Sequence, residues 1–350
     1  MRDGHDNRTI SRHAPPVRTL FLAALFALAS FAASAAPIDQ SSFVPLGGID
    51  QWISIKGEDT ANPLLLVVHG GPGEAQWPNE AVYAPWEKSF TVVQWDQRGA
   101  GHTYGRYGAK TPDVNLDRIA KDGVELARYL CRRLGKNKII VLGHSWGSIV
   151  AVRMVEAAPE LFAAYVGTGQ VESWKASVNA QFDLLLAKAK RDNDTAAIAK
   201  FEAIGRPDPA NTQQYFDFSQ NLRSVMAPSD QVWLGGLRGK FAELMKSDPK
   251  DAQDLGDGME FSGKSVLPDQ VATDLAATAT HIDTAFFVLE GDNDVITPTS
   301  AAVDYFNAVT APVKKLDLIP NAGHFAFMTS PDFLPFLLKD VRPVAIKRSA

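Results

Sequence analysis

A pentapeptide, Gly143-His144-Ser145-Trp146-Gly147, lies between the apolar run Ile139-Ile140-Val141-Leu142 and a second apolar run from Ile149 to Val155. A short apolar run before it predicts a buried strand, and the longer one after it predicts a helix. A G-x-S-x-G set in that context is a sharp strand-to-helix turn with the serine at its apex. The glycines let neighbouring backbone approach closely, and the hydroxyl stands above the sheet at a helix N-terminus. Ser145 is therefore the candidate nucleophile. The bland alternative is a serine that only caps the following helix. Ser148 reads as an ordinary residue of that helix.

The surrounding pattern supports one large α/β unit. Leu64–His69, Thr91–Trp95, Ile139–Leu142, Phe162–Val166, Ala285–Leu289 and Val313–Ile319 read as strands. Helical periodicity covers Leu116–Leu134, the stretch after the pentapeptide to about Ala158, Ser300–Val309 and Pro331–Val341. Strands alternating with helices predict a mostly parallel, doubly wound sheet. Residues 172–280 break the rhythm. Val178–Ala203 is helical, and Pro/Asn/Gln-rich turns and further short helices follow, with no convincing strand. This predicts an inserted helical lid (172–280) between core segments 36–171 and 281–350.

The first 35 residues read differently. Arg2, Arg8, Arg12 and Arg18 precede the run Leu20–Leu28, and small residues end at Ala33-Ser34-Ala35. Such a segment predicts a secretory signal peptide, residues 1–35, cleaved to leave Ala36 first, and so an exported protein, periplasmic or secreted. A retained signal anchor is the alternative. Cleavage removes four Arg and two Asp, taking the formal net charge from −5 to −7. A mildly acidic chain has no electrostatic footprint for nucleic acid. The single Cys131 excludes an internal disulfide. No His/Cys cluster or H-E-x-x-H motif implies a metal, and nothing calls for a cofactor.

An activated serine needs a base, and the base an orienting acid. Of seven histidines, His5 and His13 belong to the leader, and His144 abuts the serine and should point away. His69 and His102 lie in Gly-rich loops, and His281 precedes a strand at its wrong end. His324, in the loop after the last strand, lies where open α/β sheets gather their sites and is the candidate base. The order Ser…acid…His then requires an acid between them. The loop after Ala285–Leu289 offers Glu290, Asp292 and Asp294; Asp294 is the choice, with Asp292 available to hold the turn. An oxyanion needs convergent N–H donors. Trp146, next to the serine, supplies one; Gly71 in His69-Gly70-Gly71-Pro72-Gly73 supplies the other, with Gly70 as the alternative.

These residues carry a family likeness. His69-Gly70-Gly71-Pro72-Gly73, Asp96-Gln97-Arg98-Gly99-Ala100-Gly101 and Gly143-His144-Ser145-Trp146-Gly147-Ser148 resemble the proline iminopeptidase branch of the α/β-hydrolase fold. The likeness implies that fold, a Ser145–Asp294–His324 triad, an oxyanion hole at Gly71 and Trp146, and release of N-terminal residues from peptides. This chain has His144 where the family has a small residue, and His102-Thr103 where it has a basic residue and Ser. The family's Trp-rich lid motif, whose glutamates hold the substrate amine, has no match here. Glu172 and Glu260, with Glu202 behind them, are the candidate carboxylates for that task. Arg98 reads as structural. The expected partner is a small peptide or ester substrate. A small-ester carboxylesterase on the same core is the alternative function, and a non-catalytic binding protein on a hydrolase scaffold the remote one. Oligomeric state is not legible.

Overall fold

The computed structural model describes residues 1 and 36–349; the signal-peptide reading of residues 1–35 lies outside the described residues. Eight strands form one sheet in the order β1-β2-β4-β3-β5-β6-β7-β8. They are β1 Ile38–Leu46, β2 Ile49–Gly57, β3 Leu64–Val68, β4 Thr91–Trp95, β5 Ile139–His144, β6 Phe162–Thr168, β7 Ala285–Gly291 and β8 Lys314–Ile319. From β4 to β8 all neighbours run parallel; β1 and β2 add an antiparallel hairpin at one edge. Strands β3 to β7 are buried along their whole length, which is why they read as near-continuous apolar runs, with Gln94 the interruption in β4.

The hairpin is absent from the sequence reading. β1 is an edge strand whose Asp39, Gln40, Ser41 and Ser42 are exposed, so its apolar signal is weak. The available signal was Gly47-Gly48, both at positive φ, followed by the alternation of β2.

The helices of the core are α1 Gly101–Tyr107, α2 Leu116–Leu134 and α3 Trp146–Ala157. α2 starts where Asn115 accepts the N–H of Arg118 and stops at left-handed Gly135. It buries Ile119, Val124, Leu126 and Leu130 against the sheet; Cys131 is buried with them.

Between β6 and β7 the chain leaves the sheet and forms only helices: α4 Trp174–Arg191, α5 Thr195–Ile204, α6 Thr212–Ser219, α7 Pro228–Ser247, α8 Pro249–Ala272 and α9 Leu275–Thr278. The lid's two ends are stitched together where Ser173 bridges Asp274 and Leu275 N–H donates to Glu172 O at 2.8 Å. Two expectations are corrected here. The single helical stretch 178–203 is two helices, broken at Asn193 in the left-handed region, with Asp194 capping the second. The later part holds two long helices, of 20 and 24 residues, rather than short ones. Their glycines obscured the pattern, and Gly258 is needed: a Cβ there would lie 3.1 Å from Gly99 O and Tyr104 Cβ, where α8 rests on α1.

After β7 come α10 Thr299–Ala308, then β8, then α11 Ala326–Thr329, α12 Phe333–Phe336 and α13 Arg342–Ser349. A π-turn at Leu337–Val341 joins the last two, so the closing helix runs past its expected end. Among the described residues, no helix is long and apolar enough to cross a membrane.

Candidate active site

Ser145 occupies the apex of the turn between β5 and α3 with φ 55° and ψ −124°, a backbone conformation that costs energy for any residue bearing a Cβ. The flanking glycines make it possible. A Cβ on Gly143 would lie 2.5 Å from Gly147 O, and one on Gly147 would lie 2.1 Å from Val68 O. The turn is tied down by Ser145 N–H donating to Thr168 O at 3.0 Å, and by Ser148 Oγ donating to Ser145 O at 2.7 Å. Ser148 also accepts the N–H of Val171, so it is a structural residue.

The loop after β3 packs against this turn; the Cβ position on Gly70 lies 3.0 Å from Ser145 Cβ. His69 is buried and donates Nδ1–H to Gly70 O while Nε2 accepts Gln97 N–H. Burial holds its imidazole down at about 4, against the raising effect of the Gly70 hydrogen bond. Gln97 bridges the two halves: its amide donates to His69 O at 2.9 Å and accepts Trp146 Nε1–H at 3.3 Å. Arg98 lies beneath, in a buried ion pair with Asp122 and donating to Pro112 O and Gly47 O.

Asp294 and His324 meet across the ends of β7 and β8, where Gly291 pairs with Ile319 and sets the two loops level. Asp294 Oδ2 accepts from His324 Nδ1 at 2.8 Å and from Thr297 Oγ1 at 2.8 Å, while Oδ1 accepts the N–H groups of Ile296 and Thr297. Burial alone would raise this carboxyl; the charge and hydrogen bond of His324, with Thr297, outweigh it and hold it below its ordinary value. His324 is the mirror case. Burial would lower it, but the charge and hydrogen bond of Asp294, then Asp230 and Glu74, raise it. Asp292 is exposed and points to no partner in the pair. Glu290 is fully buried; burial and then the neighbouring Asp294 charge push it far up, so it stays protonated and Asp294 carries the negative charge.

Ser145 shares a cavity of about 280 Å³ with Gly71, Trp146, Trp174, Tyr215 and Thr297, so the serine, both expected N–H donors and a ligand of the Asp294–His324 pair line one space. Among the described residues no hydrogen bond joins Ser145 Oγ to His324. Nδ1 of His324 is committed to Asp294, which leaves Nε2 for a reacting group. His144, beside the serine, does point away: Nε2 donates to His324 O at 3.0 Å. Burial and the charge of His324 hold it neutral, down at about 3.

The lid carboxylates fall elsewhere. Glu260 projects outward from α8 and pairs with Lys264. Glu172 sits at the lid's neck, where burial, then Asp304 and Asp274, raise its carboxyl, and it does not line the cavity. Glu202 is exposed. A further carboxylate near the pair is Glu74, three residues past Gly71 and half-buried, which the sequence reading passed over. Burial pushes it up to about 7 against the charge of His324. It lines a second, open cavity of about 400 Å³ with Leu237, Phe241, Leu244 and Met259, beneath α7 and α8. Its position directly after the glycine loop was the signal that could have found it.

Among the described residues no group of three or more potential metal ligands occurs.

The family profile of the alpha/beta hydrolase fold matches residues 63–331. The chain is 26% identical over 300 residues to a probable aminopeptidase, YbaC, of Bacillus subtilis (strain 168), covering 82% of this chain and 91% of that one. It is 25% identical over 295 residues to a proline iminopeptidase of Lactobacillus delbrueckii subsp. bulgaricus, covering 82% and 92%. Among solved structures, a proline iminopeptidase-related protein from Thermus thermophilus superposes with a TM-score of 0.58 at 19% identity, over 89% of this chain and 99% of that one.

Proposed function

Since the chain belongs to the α/β-hydrolase fold family, in the branch of the proline iminopeptidases, we propose that this serine hydrolase releases N-terminal residues from peptides through Ser145, His324 and Asp294. The observation that carries the reading is the buried Asp294–His324 hydrogen bond, held level with the strained Ser145 turn at the carboxyl ends of the central strands.

His324 Nε2 takes the Ser145 proton as Oγ attacks the substrate carbonyl. Backbone N–H groups of Gly71 and Trp146 receive the developing oxyanion. The imidazolium formed is stabilised by Asp294, whose carboxylate fixes the proton on Nδ1. His324 then protonates the leaving amine, and water, activated by the same imidazole, releases the acyl group. Asp294 remains ionised because, against burial, the charge and hydrogen bond of His324, with the Thr297 hydroxyl, hold its carboxyl below its ordinary value.

For the substrate's free amine, Glu74 replaces Glu172 and Glu260 as the candidate carboxylate. It stands between the glycine loop and an apolar cavity, close enough to His324 for each charge to act on the other. A desolvated carboxylate left without its ammonium partner penalises a blocked substrate strongly. The second reading, a small-ester carboxylesterase, draws on one observation: among the described residues no carboxylate lines the cavity that holds Ser145.

Unblocked and N-acetylated aminoacyl arylamides, assayed beside short-chain aryl esters, separate the two. Preference for unblocked arylamides, lost in Glu74→Gln while ester hydrolysis survives, is expected. Equal rates on blocked and unblocked substrates in the unsubstituted enzyme would sink the aminopeptidase reading and leave the esterase. The leader adds a proposal of export, expected to give a mature chain starting at Ala36 on N-terminal sequencing from the native host; a retained Met1 on soluble cytoplasmic protein refutes it.

A further inference from the structure

His324 is held by more than Asp294. Asp230, on lid helix α7, is fully buried, and its carboxylate reaches into the loop after β8. Its Oδ2 accepts the backbone N–H of His324 at 2.7 Å, and its Oδ1 accepts that of Phe325 at 3.2 Å. The carbonyl of His324 is held in turn by His144 Nε2–H at 3.0 Å. Both backbone polar groups of His324 are thus fixed by side chains, one from the lid and one from the residue beside Ser145.

The fit of Asp230 is specific. Gly323 precedes His324, and a Cβ there would lie 2.1 Å from Asp230 Oδ2 and 2.7 Å from its carboxyl carbon. Only a glycine leaves room for the carboxylate to reach the two N–H groups. Among the described residues Asp230 has no ion-pair partner with Lys or Arg. A buried carboxylate without a paired cation is costly to keep. As packing alone, an uncharged acceptor would serve the two N–H groups at less cost. A negative charge beside an imidazole that must become cationic does further work, because it favours the imidazolium.

We propose that Asp230 is a positioning residue for His324 that the lid supplies, so that the base is correctly placed and electrostatically supported only while α7 is seated on the loop after β8. The proposal rests on the reading of His324 as the base. It assigns the lid a part in the chemical step, apart from any contact with substrate.

The charged and titratable groups that face His324 are Asp294 from the loop after β7, Glu74 from the loop after β3, His144 from the turn after β5 and Asp230 from the lid. Burial of His324 opposes protonation; Asp294, then Asp230 and Glu74, favour it. Removing the Asp230 charge while Asp294 and Glu74 stay in place therefore lowers the pH at which His324 titrates.

The test uses the full mature chain with Asp230→Asn, which keeps one acceptor oxygen and removes the charge. A second variant, Gly323→Ala, displaces the carboxylate from the partner side without touching it. Each is measured for kcat and KM across pH on an aryl ester, and for the rate of fluorophosphonate labelling. His324→Ala is run alongside to test the premise. The expected result is a fall in kcat of on the order of 10² with KM little changed, as for a misplaced catalytic group. The acidic limb of kcat/KM should move to lower pH in Asp230→Asn, a shift that a purely structural role would not give. Unchanged kcat and an unmoved limb in folded Asp230→Asn would overturn the proposal, even if thermal stability fell. If Asp230→Asn does not fold, Gly323→Ala decides by the same two readouts. A His324→Ala enzyme that keeps its activity removes the premise, a failure distinct from that of Asp230.

Discussion

Replacing Asp294 by Asn tests the proposed triad at its most constrained point. The carboxylate accepts four hydrogen bonds: from the N–H groups of Ile296 and Thr297 on Oδ1, and from Thr297 Oγ1 and His324 Nδ1 on Oδ2. Asn has one oxygen, so its NH₂ must face one of the two pairs. Facing the backbone pair would leave two buried N–H donors unpaired, at about 1–3 kcal/mol each. Facing the other pair costs less, because the Thr297 hydroxyl can turn and His324 can move its proton. In that orientation Nδ1 must accept, so the imidazole proton shifts to Nε2. His324 then has no lone pair facing Ser145 and cannot act as base. The expected loss in kcat is about 10⁴, or about 5.4 kcal/mol of barrier at 1.36 kcal/mol per decade. The fold should survive, since the second orientation leaves no donor orphaned. Steady-state turnover of an aryl ester and an aminoacyl arylamide, with thermal melting as the folding control, reads both. Asp292→Asn, at an exposed position, should leave turnover near the unsubstituted level. A near-normal rate in Asp294→Asn, or a larger loss in Asp292→Asn, would refute the reasoning and move the acid elsewhere.

Ser145→Ala should abolish fluorophosphonate labelling and lower turnover by about 10⁴–10⁶. Ser148→Ala should keep both and lose only stability, by about 1–3 kcal/mol in urea unfolding, since Val171 N–H loses its acceptor; labelling lost in Ser148→Ala instead would exchange the two roles. The acidic limb of kcat/KM should lie above 6.5, the ordinary imidazole value, because the base works neutral and burial, which lowers His324, is outweighed by Asp294 together with Asp230 and Glu74, so activity falls as pH drops through the raised value; a limb below 6.5 contradicts this. Arg98→Ala should destabilise by about 3 kcal/mol, at the lower end for one partner of a buried pair because Arg118 and Gln51 still reach Asp122; an unchanged urea midpoint would show that the pair contributes nothing net.

Much of this protein is written locally. Strands β3 to β7 lie buried on both faces, so their apolar runs are near-continuous and legible, and α2 carries its periodicity in its own residues and its start and stop signals in the flanking Asn115 and Gly135. The Ser145 turn is legible because two glycines must flank it, a backbone requirement that leaves a mark on the sequence. Chain order and the strand ends that face the site point to His324 and to the loop of Glu290, Asp292 and Asp294, of which the structure puts Asp294 within hydrogen-bond distance of His324. What the sequence hides is whatever depends on a partner distant along the chain. β1 is polar because it is an edge, and its strand character comes from pairing with β2. The lid's long helices carry glycines that mask their periodicity, of which Gly258 on α8 is the one set against α1. Glu260 reads as a candidate ligand until the docking of α8 turns it to solvent, while Glu74 is brought near His324 only by folding of the glycine loop. Asp230 is the clearest case: ninety-four positions from His324, it meets that backbone because α7 folds down onto the loop after β8. A side chain's role follows from sequence when its partners are a few residues away or when chain order names them; otherwise it needs the tertiary structure, because the partner arrives from another element.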